Sequence, residues 1–113
     1  MKIRLMAAAA LLAIASSPAF ADPVRCFTNK VVSEVQQGYV GLAQGSDWGN
    51  ALYFKVEGSN NMYAMYYTYN LNDAPGNAHH RTLLLSQIGG YKIEAWDHNN
   101  TNCTTVSALI IRN

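Results

Sequence analysis

Ala78-His79-His80-Arg81-Thr82-Leu83-Leu84-Leu85-Ser86-Gln87-Ile88-Gly89-Gly90-Tyr91-Lys92-Ile93-Glu94-Ala95-Trp96 changes period in the middle, and the change decides the fold. In the first part Leu84 and Ile88 stand four apart with Leu83 and Leu85 beside them, as on the buried face of a short helix. Asn77 is placed to cap its start and Gly89-Gly90 to end it. From Tyr91 the period becomes two, which marks a strand. Parity then puts Tyr91, Ile93 and Ala95 on one face and Lys92, Glu94 and Trp96 on the other.

Upstream of this helix the pattern is that of strands. Phe27–Val35 is rich in β-branched residues and closes at Gln36-Gln37-Gly38, while Tyr39–Gln44 extends or pairs with it. Gly45-Ser46-Asp47-Trp48-Gly49-Asn50 is turn chemistry. In Ala51–Glu57, Leu52, Phe54 and Val56 alternate with Tyr53, Lys55 and Glu57, as in a half-buried strand. After the Gly58–Asn61 turn, Met62–Tyr69 reads as a strand with no clean polar face. Leu71–Asn77 reads as a loop broken by Asp73, Pro75 and Gly76. Downstream, the polar turn Asp97–Asn102 leads to a last strand, Val106–Ile111. The expected fold is mainly β with one helix, a small OB-like antiparallel barrel with the helix packed on it. An α+β sandwich fits the same pattern.

The amino end has the build of a cleavable export signal. Lys2 and Arg4 precede an apolar run, Leu5–Ile14. Ser16, Ser17 and Pro18 break it, and Ala19-Phe20-Ala21 places small residues for cleavage after Ala21. A membrane-spanning helix needs about 20 apolar residues, and this run is roughly half that. The expected protein is therefore secreted or periplasmic, with no membrane insertion. Removing 21 of the 113 residues leaves 92 in one domain, 22–113. Two of the eight basic residues leave with the signal, so six face seven acids. No basic stripe for nucleic acid remains. Cys26 and Cys103 are the only cysteines, and in an oxidising compartment they are expected to form a disulfide closing nearly the whole domain.

Chemistry concentrates after the second strand face. Trp96 shares its face with Lys92 and Glu94, and Asp97, His98, Asn99 and Asn100 follow it. An aromatic plane suits the C–H face of a pyranose, and amides and carboxylates suit its hydroxyls. The same residues also suit a Trp tucked under a turn shaped by Asn. Trp48, in its Gly-flanked loop, is a second candidate for the same site, or else an anchor or a subunit contact. The tyrosines from Tyr63 to Tyr69 suit either core or recognition surface. Catalytic motifs are missing: there is no G-x-S-x-G, H-E-x-x-H or P-loop, and no cofactor is called for. His79 and His80 diverge by about 100° on a helix and are expected to be exposed rather than to share a site. The expectation is a protein that is not an enzyme.

Several of these stretches together resemble the B subunits of AB5 toxins, of the cholera and heat-labile enterotoxin type and, more distantly, of subtilase cytotoxin and typhoid toxin. The likeness is carried by the Arg81-Thr82-Leu83-Leu84-Leu85 helix, the Lys92-Ile93-Glu94 strand, Trp96 before an Asn-Asn turn, and the closing strand to Arg112-Asn113. Val56-Glu57-Gly58-Ser59 and the placement of the two cysteines add to it. The resemblance implies an OB-fold, a homopentameric ring, cell-surface glycan as ligand and an enzymatic A subunit as partner. It also implies that Trp96 stacks on a sugar while Asn99 or Asn100 bonds its hydroxyls. The chain departs from the family where Asp97-His98 lengthen the turn and Thr101 replaces a Lys. Cys103 also follows the Trp instead of preceding it. The other expectation is a monomeric exported OB-like protein with a structural or inhibitory role and no sugar site.

Overall fold

The computed structural model describes residues 22–38 and 49–112. The expected signal segment, the Tyr39–Gln44 strand and Trp48 lie outside the described residues. Among the described residues seven strands and one helix follow the order β1 (Val24–Lys30), β2 (Val32–Gly38), β3 (Ala51–Val56), β4 (Tyr63–Met65), α1 (Ala74–Gly89), β5 (Lys92–Asp97), β6 (Thr105–Val106) and β7 (Ala108–Arg112). They form a three-stranded sheet, β1-β5-β7, and a four-stranded sheet, β2-β3-β4-β6. Among the described residues the chain is thus mainly β with one helix. Every strand pair is antiparallel except β4 with β6, which is parallel and so departs from the all-antiparallel expectation.

The segment expected to be one strand, Phe27–Val35, is in fact two strands in different sheets. The pairing of β1 with β5 slips between Phe27 and Lys30, and Asn29 takes a left-handed backbone, φ 54°. Such a bulge bends a strand, and here it lets the chain leave one sheet and enter the other. Composition could not show it, because both halves are equally rich in strand formers.

Leu52, Phe54 and Val56 point into the core with Val32, Met65, Leu83, Ile93, Ala95 and Val106. Phe27 and Tyr63 pack on Phe54, their ring centroids 6.1 and 5.5 Å from it. The opposite face of β3 is covered too: Tyr53 is buried against Met62 and Ala64. β4 is shorter than the expected Met62–Tyr69 strand because the chain turns at Tyr66, where the Tyr69 amide donates to the Tyr66 carbonyl. The Tyr66 ring then meets Tyr67 at a tilt and Tyr69 edge-on, and Tyr69 meets the His79 ring edge-on at 5.0 Å.

α1 starts earlier than the periodicity suggested. Asp73, not Asn77, is the N-cap: its Oδ1 accepts from the Gly76 amide at 2.6 Å and its Oδ2 from the Asn70 amide at 2.7 Å. Asp and Pro break a helix interior but favour its first turn, so Asp73 and Pro75 are start signals here. Gly90 ends the helix with φ 73°, as expected. The buried face differs from expectation. Leu83 is 0% exposed, whereas Leu85 is 54% and Ile88 83% exposed. Ser86 takes a core position instead, its hydroxyl accepting from the Val32 amide at 2.9 Å and donating to the Tyr91 carbonyl at 2.7 Å. His79 and His80 are half-buried rather than exposed, and Nε2 of His80 is buried without a hydrogen-bond partner. Tyr91, expected in the core, is 41% exposed.

A disulfide joins Cys26 in β1 to Cys103 in the loop after β5, across a sequence separation of 77. By chain entropy, a loop this long contributes roughly 4 kcal/mol against the unfolded state.

Candidate functional site

β5 is the middle strand of its sheet, flanked by β1 and β7. On its core face lie Ile93 and Ala95. On the outer face Trp96 stands opposite Arg25 of β1 and Ala108 of β7, and Lys92 stands opposite Arg112. The parity expected for this strand therefore holds for Glu94 and Trp96. Their surroundings do not match a simple solvent face: Trp96 is half-buried and Glu94 only 5% exposed.

Glu94 is a residue whose role sequence reasoning missed. Its Oε2 accepts from the Trp96 indole Nε1 at 2.7 Å, and its Oε1 accepts from the Thr28 hydroxyl at 3.1 Å. Guanidinium nitrogens of Arg25 and Arg112 lie 3.8 and 3.7 Å from Oε1. The indole hydrogen bond, then the hydrogen bond of Thr28 and the positive charges of Arg112 and Arg25, hold this carboxyl below its ordinary range, against the upward push of burial. Parity signalled only that Glu94 and Trp96 share a face. Thr28 and the two arginines reach it by strand pairing from distant parts of the chain.

Asp97 closes the strand and builds the turn. It is 1% exposed, so its carboxylate does not face solvent. Oδ1 accepts from the Asn99 amide at 2.8 Å. Oδ2 accepts from the amides of Thr101 and Cys103 at 2.9 and 3.1 Å and from the Thr101 hydroxyl at 3.1 Å. Burial pushes this carboxyl up, but the four hydrogen bonds outweigh it and hold it below its usual range. Asp97, grouped by sequence with the sugar contacts, is thus the turn's internal anchor. The anchor supports left-handed backbones at Asn100, Asn102 and Cys103, which non-glycine residues seldom adopt.

His98 is exposed, its amide and Nδ1 both meeting the Ser107 hydroxyl, at 2.9 and 2.7 Å. Asn99 and Asn100 are exposed on the turn. The structure thus brings Trp96 together with Glu94 and Arg25, and ties Asn99 to Asp97. It presents His98, Asn99 and Asn100 at the end of the strand that carries Trp96.

Elsewhere, an open depression of about 390 Å³ lies at the start of α1, lined by Leu71, Asn72, Asp73, Asn77 and Arg81 among others. Among the described residues no group of three or more His, Cys, Asp or Glu side chains is placed to hold a metal ion. None of their helices is long and apolar enough to cross a membrane. In comparison with known proteins, the chain matches no family model, no curated protein and no solved structure.

Proposed function

We propose that this chain is an exported carbohydrate-binding protein of the AB5 B-subunit type, an OB-like barrel that assembles in a ring and binds cell-surface glycans. It has no catalytic act of its own and serves an enzymatic A subunit. The observation that carries the glycan part is the Trp96 indole. It sits half-buried on the outer sheet face, held at its N–H, beside the exposed Arg25 guanidinium and one residue before a polar turn. A fixed aromatic plane with hydrogen-bonding groups beside it is the arrangement a pyranose requires.

The assembly part is supported by α1. Leu85 and Ile88 lie exposed on its outward side, and in this reading they supply the apolar contact between subunits. Within the ring, that side faces neighbouring subunits.

Trp96→Ala tests the glycan reading on a mammalian glycan array. The wild type should bind a defined set of glycans, and the variant should lose that binding, since an aromatic anchor often carries about 2 kcal/mol or more. A wild type that binds nothing sinks the reading. A second reading, an exported OB-like protein with a structural role, is favoured by the pairing of Trp96 with Glu94. Under it, Trp96→Ala changes stability and no binding is found.

A further inference from the structure

We infer that Glu94 is a positioning residue for the candidate sugar site: it selects the flip state of the Trp96 indole and so decides which face the ring presents. The inference rests on the carbohydrate reading for its functional meaning, but its structural content stands by itself.

An indole hangs on two rotatable bonds, and on a sheet surface a half-turn of the ring exchanges its edges at small steric cost. Glu94 removes that freedom. It lies two residues before Trp96 and so on the same face of β5, and its Oε2 receives the indole N–H at 2.7 Å. The opposite flip points the N–H away and leaves a carboxylate, its side chain only 6% exposed, without its shortest bond. A charge-assisted bond to a group so nearly out of water is a strong constraint.

Glu94 is itself held from both neighbouring strands. Thr28 and Arg25 approach from β1 and Arg112 from β7, so the carboxylate is fixed in the middle of the sheet before the indole meets it. Both guanidinia are more than half exposed and contact the same Oε1, leaving Oε2 to Trp96. The indole N–H is thereby occupied. A sugar is recognised by the ring face, and its hydroxyls take their bonds from other groups, among them Arg25, which stands opposite Trp96 in the register.

The test reads the indole directly. The chain has two tryptophans, so the ¹H–¹⁵N indole resonance of Trp96 is assigned by its persistence in Trp48→Phe. Glu94→Gln keeps a neutral acceptor, and Glu94→Leu keeps bulk without one. The Trp96 resonance should move part of the way toward free indole in the first and further in the second, and glycan-array affinity should fall roughly tenfold or more in the second. In the wild type, the indole proton of Trp96 should exchange with solvent much more slowly than that of free N-acetyltryptophanamide. A resonance unchanged in both variants overturns the proposal. So does wild-type exchange as fast as the free indole, a measurement that needs no variant to fold. A wild type that binds no glycan, but whose indole behaves as described, overturns the carbohydrate reading and supports the role of Glu94.

Discussion

The amide of Cys103 donates to Oδ2 of Asp97 at 3.1 Å, so the carboxylate that shapes the turn after β5 also holds one end of the disulfide. Asp97→Asn removes the charge and turns one acceptor oxygen into a donor among amides that are themselves donors. It should cost about 2–3 kcal/mol, in the range for hydrogen bonds to charged groups. Urea unfolding at neutral pH measures it. Because the folded-state pKa of Asp97 is depressed, its contribution is present above the unfolded value and lost as pH falls through the folded one. The wild type should therefore lose stability below about pH 4, and the variant should lose less there.

Gly76 sits in the first turn of α1, where a Cβ would overlap the backbone carbonyl of Asn70. Alanine normally favours a helix over glycine by about 1 kcal/mol. Here the sign should reverse, and Gly76→Ala should cost about 1–3 kcal/mol, as overpacking does. A variant with an unchanged or raised melting temperature would show that the Asn70 turn yields easily.

Leu85 and Ile88 make the apolar stripe of α1 that faces away from the core. Leu85→Lys with Ile88→Lys should leave subunit stability within about 0.5 kcal/mol per site, as exposed substitutions do. If the stripe lies between subunits of a ring, the wild type will scatter light as an oligomer and the double variant as a monomer. A wild-type monomer at micromolar concentration would sink the assembly proposal.

Burial of His79 against Tyr69 pushes its imidazole pKa down, and the nearby Asp73 charge only partly opposes this. The folded state therefore binds a proton less readily than the unfolded chain. Stability should be fully present above the unfolded value of about 6.5 and should decline as pH falls from there toward the folded pKa. Urea midpoints at pH 7.5 and pH 5 should differ in the wild type by more than in His79→Asn. Equal differences would show that His79 titrates without coupling to folding.

The mainly β architecture is legible in the sequence, and period two gives the core face of β3 and, apart from Tyr91, the faces of β5. The helix is legible too, but it starts four residues before its apolar period does, and its most apolar side is not the one that meets the sheet. Leu84, Leu85 and Ile88 form the more hydrophobic stripe, yet Leu83 and Ser86 are the residues that meet the sheet. Periodicity identifies an apolar face without saying what covers it. Asp73 and Pro75 read as breakers in sequence because the same residues end helices and begin them, and only the cap geometry separates the two uses.

Local signals by themselves determined the period of each segment, the end of α1 at Gly90 and the pairing expected of two lone cysteines. These depend on residues near in sequence, or on a count too small to allow alternatives. Tertiary structure alone decided that one β-rich stretch would divide between two sheets after Lys30, just past the left-handed Asn29. It also decided that Glu94 would be enclosed by Thr28, Arg25 and Arg112, and that Asp97 would turn inward to four donors. The reason is register. Which residues of β1 and β7 stand beside Glu94 and Trp96 depends on how distant strands slide into pairing, and a bulge of one residue changes every neighbour.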